Sequence, residues 1–153
     1  GGRRRGGRGA VTVSITGPAA SSVFYPPAIF TETREDPSAA AGGIDAVEFY
    51  RNTTGATRTL SAGYLVASGG LTANDTNYVG WTIYSFNGDT VVDTIGSVTT
   101  KITGGTGDWS QTEEFVITLD ITTLAAGHSL RVARAKVGAG VVCPPHSIVL
   151  ELA

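Results

Sequence analysis

The chain of 153 residues is poor in charge and in cysteine, and it has no long apolar run. Only 16% of its residues are charged, and the single cysteine, Cys143, excludes an internal disulfide framework. No stretch is long or apolar enough to span a bilayer, and no secretory hydrophobic segment precedes the first predicted strand, so we expect no membrane partner. Residues 71–152 also lack helical periodicity, which leaves a compact β protein rich in turns.

Alternating apolar residues predict a series of β-strands. Residues 78–86 predict one strand, and both of its faces carry apolar residues. One face carries Val79, Trp81 and Ile83, and the other carries Tyr78, Tyr84 and Phe86. We expect such a strand to be covered on both faces, by a second sheet and by another subunit. The pair Asn87-Gly88 predicts a type I′ hairpin turn into the next strand. Further strands are predicted at 11–15, 44–51, 57–67, 115–119 and 148–152.

The segment 129–138 has a mixed pattern. Leu130 and Val132 share a strand face with Arg134 and Lys136, so the apolar side changes partway along the strand. A twist, a bulge or an exposed far end would each explain this change.

Positive charge is concentrated at the N-terminus. Arg3, Arg4, Arg5 and Arg8 leave seven basic and thirteen acidic residues in the rest, a net charge of −6. The glycines of residues 1–9 favour neither helix nor strand. Such an arginine-glycine run could bind nucleic acid, but the acidic body offers no second basic surface, and we expect an arm that is solvated or ordered by an acidic partner. The predicted organisation is an extended arm over residues 1–43 and a sandwich domain over 44–153.

No residue combination indicates catalysis or a cofactor. Cys143 and His146 flank Pro144-Pro145 at a spacing that matches no cysteine-protease signature. One cysteine and two histidines are too few for a zinc site unless carboxylates or other subunits contribute, so a three-histidine site at a trimer axis, from His128 or His146, stays open. The glycine-rich loop 101–108 lacks the Gly-Lys-Ser/Thr ending of a phosphate-binding loop. We therefore expect no enzyme, no cofactor and no metal.

Three short motifs occur in a fixed order, each at the start of a predicted strand or shortly before one. Asn77-Tyr78 enters one strand, residues 126–130 (AGHSL) enter a later one, and residues 137–140 (VGAG) precede Pro144-Pro145 before the last. From about residue 44 onward the chain thereby resembles the β-sandwich domains of tailed-phage head decoration (cement) and head-fibre proteins. His128 stands where that family more often has an acidic or polar residue, which leaves the turn unchanged.

The resemblance implies an all-β fold, a jelly-roll-like antiparallel β-sandwich, in a trimer on the outer capsid surface that bridges copies of the major capsid protein. The predicted capsid-contact residues are Arg3, Arg4, Arg5, Arg8, Phe24, Tyr25 and Phe30. The predicted subunit-contact residues are Tyr78, Trp81, Tyr84 and Phe86, since aromatic side chains suit such interfaces. Two alternatives remain: a fibre-tip domain that binds a receptor or carbohydrate, for which Trp109 and Tyr64 would be the exposed aromatics, and a small-virus coat protein whose arginine arm binds nucleic acid.

Overall fold

The computed structural model describes residues 25–32 and 46–153, and every regular element in these ranges is a β-strand. The strands are β1 (Ala28–Glu32), β2 (Val47–Arg51), β3 (Arg58–Ala67), β4 (Tyr78–Asn87), β5 (Thr90–Thr99), β6 (Glu114–Val116), β7 (Thr123–Leu124), β8 (Ser129–Val137) and β9 (His146–Leu152).

Two antiparallel sheets form a sandwich. One sheet has the strand order β1-β9-β3-β6, with the short β7 paired to the start of β3, and the other has the order β2-β8-β4-β5. The chain passes repeatedly from one sheet to the other, and the late strands β8 and β9 insert between early ones, which is jelly-roll topology. The fold predicted for the domain is therefore confirmed.

The core lies between the sheets and follows the period-two pattern of the long strands. Val79, Trp81 and Ile83 of β4 are buried, and they face the buried side chains of Leu65 on β3 and Ile148 on β9. Each of these strands turns its alternate residues outward, because successive side chains of a strand point to opposite faces. The face of β4 that carries Val79, Trp81 and Ile83, which the sequence predicts as one apolar face, is therefore the face that lines the interior.

The strand predictions differ from the structure mainly at their ends. The Asn87-Gly88 turn connects β4 to β5, and Gly88 has the positive φ, 59°, that this hairpin requires. The strand predicted at 115–119 is shorter, because after Ile117, whose N–H still donates to Gly63 O on β3, the chain crosses to β5, where Gly96 bridges Leu119. The strand predicted at 11–15 lies outside the described residues.

Part of the segment assigned to the arm is a strand of the sandwich. Ala28–Glu32 forms β1, the edge strand that pairs with β9. Its inward side chains include Ala28, which is buried, and Phe30, which packs edge-to-face on Phe49 with ring centroids 6.2 Å apart. The boundary predicted at residues 43 and 44 falls in the undescribed segment and stays a prediction.

Candidate functional site

A cluster of charged and polar side chains lies between the two sheets. Glu32, the last residue of β1, accepts a hydrogen bond from Arg134 Nη1 on β8 at 2.7 Å. Its other carboxylate oxygen lies 3.1 Å from His146 Nε2 on β9 and accepts a longer hydrogen bond, 3.4 Å, from Trp81 Nε1 on β4. One carboxylate on an edge strand therefore joins four strands and both sheets.

His146 is enclosed on every side. Its ring packs edge-to-face against Trp81 and Trp109, with centroids 4.8 and 5.6 Å away, and its side chain has no exposed surface. Nδ1 lies 2.8 Å from the Pro144 carbonyl oxygen while Nε2 faces Glu32, so both ring nitrogens face acceptors. Whichever nitrogen carries the proton donates to the acceptor that it faces, so the ring is held in place from both sides.

The surroundings of Glu32 favour its ionised form. Burial raises the pKa of this carboxyl, but the His146 hydrogen bond, the Arg134 charge and the Trp81 N–H together outweigh burial and lower the pKa from 4.5 to about 2. The Glu32 side chain is 14% exposed and that of Arg134 11%, so water screens this ion pair only weakly. The pair is consequently part of the interior.

This cluster corrects our interpretation of the mixed pattern in β8. The pairing of β8 with β4 is regular from Ser129 to Val137, so there is no bulge in that ladder. Arg134 lies on the inner face with Leu130 and Val132, and it is tolerated there because Glu32 neutralises it. No motif in the sequence points to Glu32, although a cation on the apolar face of a predicted strand is a signal that a buried partner exists.

Cys143 and His146 do not form a reactive pair. Both His146 ring nitrogens are engaged elsewhere, and the Cys143 thiol points to the Val141 carbonyl oxygen at 3.6 Å. Burial raises the pKa of the Cys143 thiol to about 11. Because His146 is enclosed, it is not positioned to meet copies of itself at a trimer axis, whereas His128 lies more openly in the turn before β8.

The outer face of the β2-β8-β4-β5 sheet carries the other aromatic residues of β4. Tyr78 and Tyr84 are half-buried, and Phe86 is covered by Arg131, whose guanidinium carbon lies 4.2 Å from the ring centroid. Three of the four predicted subunit-contact residues are therefore on this face. Trp81 is not, because its side chain is 1% exposed and stacks on Trp109 inside the sandwich.

The outer face of the other sheet carries an apolar row. Ile29 pairs with Val149, Val149 pairs with Tyr64, and Tyr64 pairs with Val116, so these four side chains cross the sheet from β1 to β6 at one level. At the two ends of the row, Ile29 is 51% and Val116 is 74% exposed. We name these four residues the apolar row. Contiguous apolar surface of this kind is typical of protein interaction sites.

Of the predicted capsid-contact residues, Tyr25 and Phe30 are described. The Arg58 guanidinium carbon lies 4.2 Å from the centroid of the Tyr25 ring, which lines a groove along Val149 and Leu152. Phe30 packs toward the core, so β1 offers Ile29 and Thr31 to the outside instead. The remaining members lie outside the described residues; they are Arg3, Arg4, Arg5, Arg8 and Phe24.

The glycine-rich loop 101–108 is held to the body through Thr103 and through Trp109, the residue that follows it. Trp109 is buried and donates from Nε1 to Thr106 Oγ1 at 2.8 Å, and Asp75 accepts hydrogen bonds from Thr103 N and Oγ1. Trp109 is thus an anchor of the loop, and it does not serve as the exposed aromatic of a glycan site. Beside the loop, an open cleft of about 350 Å³ separates β5 from β6.

Within residues 25–32 and 46–153, no three His, Cys, Asp or Glu side chains gather as a metal site would require. The same ranges contain no helix of the length and hydropathy needed to cross a membrane.

No family model matches this chain, and no curated protein matches it. Among solved structures, it is similar to a chain in the "Structure of infectious bursal disease virus Gx strain", with a TM-score of 0.31 and 16% identity. The match covers 81% of this chain but 32% of that chain, so this chain spans about a third of the viral chain's length. A similarity of this size leaves the function to be argued from the residues themselves.

Proposed function

We propose that this chain is a structural protein of a tailed-phage virion, which decorates the outer capsid surface and cements neighbouring copies of the major capsid protein. In this proposal the sandwich self-associates, as a trimer, through the outer face of the β2-β8-β4-β5 sheet. The basic N-terminal segment, the loop 101–108 and the apolar row of the other sheet contact the capsid. The proposal assigns no catalytic residue and no cofactor.

The observation that carries this proposal is the apolar row, together with the aromatic face on the opposite sheet. Val116 and Ile29 are more than half exposed, although each lies in register with a half-buried apolar neighbour on the next strand. A sandwich with apolar residues on both broad outer faces is suited to contact proteins on both sides. The motifs at Asn77-Tyr78 and residues 126–130, by which the chain resembles decoration proteins, support the same function.

Such a protein acts by mass action. It binds the assembled shell and has no equivalent site on separated capsomers, so its binding free energy is added to the stability of the shell. The N-terminal run and the rest of the chain suit different partner surfaces, because residues 10–153 carry a net charge of −6 and residues 1–9 carry four arginines. No chemical step is needed for this function.

The test is to measure the mass of intact virions before and after the chain is stripped from them. We expect a fixed number of copies per particle, a multiple of three, and shells that remain closed after stripping but rupture at a lower temperature. Limited proteolysis of intact particles should cleave the chain, since it lies outside.

Two outcomes would contradict the proposal. A chain that is absent from purified particles is not a virion protein. A chain that is protected from protease until the shell opens, and that binds nucleic acid in a salt-dependent manner lost on deleting residues 1–9, is instead an internal coat protein with an arginine arm.

The cleft between β5 and β6 favours a second candidate function, glycan binding by a fibre-tip domain. Its lining combines hydroxyl groups, one carboxylate and one aromatic ring, and such groups are typical of a sugar-binding site. The residues concerned are Ser97, Thr99, Thr106, Thr118, Glu114 and Phe115. A glycan array probed with the intact protein tests this candidate. Binding that is lost in Glu114→Gln would support it, whereas no binding to any glycan would remove it.

A further inference from the structure

β1 is seated on the sandwich by three kinds of contact. Its backbone pairs with β9 over five residues, and its inner side chains include Phe30, which packs on Phe49. The third contact is made by Glu32, whose carboxylate reaches across to Arg134 on the opposite sheet. Among the described strands β1 lies at the edge of its sheet, with β9 as its partner, so its departure would break none of the other described ladders.

The buried positive charge of Arg134 is neutralised by the Glu32 carboxylate. Nη1 of Arg134 donates to the carboxylate, but its Nε and Nη2 atoms are buried and have no hydrogen-bond partner among the residues that the structure describes. The guanidinium also lies near the face of Trp81, with its central carbon 6.0 Å from the ring centroid. Removing the carboxylate charge while β1 stays in place would therefore leave a buried cation without a counter-charge, which costs far more than a surface ion pair is worth.

The structure offers one route by which this cost is relieved. If β1 detaches from β9, water reaches Arg134 and His146 and solvates them. We propose that Glu32 is a charge latch for β1: its ionised carboxylate keeps the strand seated, and loss of that charge releases the strand and opens the space between the sheets. The latch does not depend on the proposed virion function.

The groups that face Glu32 set the direction of the pH dependence. They are Arg134 from β8, His146 from β9, the Trp81 N–H from β4, and the neutral Cys143 thiol in the segment before β9. Because the pKa of Glu32 is about 2 in the seated state and near 4.5 when the carboxyl is free, the latch is complete above pH 4.5 and weakens as the pH falls toward 2. Between pH 6 and pH 2.5 the opening equilibrium should rise by roughly 100-fold.

The experiment is amide hydrogen exchange on the full chain, with Glu32→Gln compared to wild type at pH 7. We expect residues 28–32 to exchange at least about tenfold faster in Glu32→Gln, while residues 79–83 in the core keep their protection. The control is Glu48→Gln, which removes an exposed ion pair with Arg51 on β2 and should leave β1 unchanged. Wild type should approach the variant's exchange pattern as the pH falls from 6 to 2.5.

A second readout follows the opening through the two tryptophans of the chain, Trp81 and Trp109, which both pack on His146. Acrylamide should quench their fluorescence more strongly in wild type at pH 2.5 than at pH 6. In Glu32→Gln the quenching should be high at pH 6 already and should change little with pH.

The double variant Glu32→Gln/Arg134→Met separates charge from packing. It removes both members of the ion pair, so β1 should be protected again to within a few-fold of wild type, without the acid response. If Glu32→Gln does not fold, the double variant and the wild-type pH series decide the question. Equal protection of β1 in wild type and Glu32→Gln would overturn the latch. So would opening of β1 and the core together, or a double variant as open as the single one.

Discussion

Cys143 shows how burial decides the chemistry of one residue. The thiolate is the reactive form of cysteine, and burial raises the pKa of this thiol to about 11. We predict that a thiol reagent at pH 8 labels the native protein at least about 100-fold more slowly than the denatured chain. Since Cys143 is the single cysteine of the chain, a mass shift counts its labelling directly. Labelling of native protein at the rate of a free thiol would show that the sandwich opens at this point.

Gly138 is required by both conformation and space. Its φ is +61°, and a Cβ atom there would lie 2.6 Å from the Thr76 carbonyl oxygen and would also clash with Asn77 Oδ1. We predict that Gly138→Ala lowers the free energy of unfolding by about 2–4 kcal/mol, because strain and overlap add.

The matched control is Gly88→Ala in the β4–β5 turn. Gly88 has a similar φ of +59°, but a Cβ atom there would have no other heavy atom within 4 Å beyond its chain neighbours. Only backbone strain remains, so we expect a loss of about 1 kcal/mol. Urea unfolding of both variants gives the comparison, and equal losses would show that the Asn77 contact adds nothing to the requirement at Gly138.

At the scale of the elements, a buried amide fastens the β2–β3 turn to the rest of the sandwich. Asn52 is fully buried and donates from Nδ2 to the carbonyl oxygens of Ala56 and Leu124, at 2.8 and 2.9 Å. Its Oδ1 accepts from Thr54 N and Oγ1. We predict that Asn52→Ala costs about 2–4 kcal/mol of unfolding free energy, because two carbonyl groups lose their donor.

Asn74 provides the control, since Asn52 and Asn74 each start an Asn-x-Thr sequence and each shapes a turn. Its Oδ1 accepts hydrogen bonds from Thr76 N and Asn77 N, but the residue is exposed and water can replace it. In urea unfolding of both variants, we expect Asn74→Ala to lower the free energy of unfolding by about 1 kcal/mol or less. A larger loss for Asn74 than for Asn52 would contradict the burial argument.

The strands that could be predicted from the sequence are those with one clean apolar face. β4 and β9 alternate regularly, and the Asn87-Gly88 turn identifies a hairpin, because these signals are local. β8 could not be interpreted in the same way. Its inner face changes from Leu130 and Val132 to Arg134, and the reason lies on β1, about a hundred residues away in sequence.

For the molecule as a whole, the jelly-roll order of the strands is predicted from a family resemblance. The pattern of no single strand predicts it. Alternation shows which residues face inward, but it does not show that β9 lies between β1 and β3, because that pairing joins distant parts of the chain. The burial of Trp81 and Trp109 illustrates the same limit. From the sequence both aromatics are predicted as surface contacts, whereas their burial in the core depends on the sheet that covers them.

The two outer faces of the sandwich are expected to differ in their part in self-association. In our proposal the trimer contact is the face that carries Tyr78, Tyr84 and Phe86, and the apolar row on the other sheet stays free for the capsid. Tyr84→Ser should therefore shift the trimer toward monomer in light scattering, with at least about a tenfold weaker association, because interface aromatics contribute most of the binding free energy.

Val116→Ser is the matched control for Tyr84→Ser, since Val116 is 74% exposed on the opposite sheet and its replacement should leave the trimer intact. The thermal midpoint of each variant must stay within a few degrees of wild type, so that a loss of association is not a loss of fold. The reverse result, dissociation by Val116→Ser and not by Tyr84→Ser, would move the subunit contact to the apolar row and the capsid contact to the aromatic face. A wild-type chain that is monomeric at high concentration would contradict both arrangements, because neither face would then be covered by a second copy.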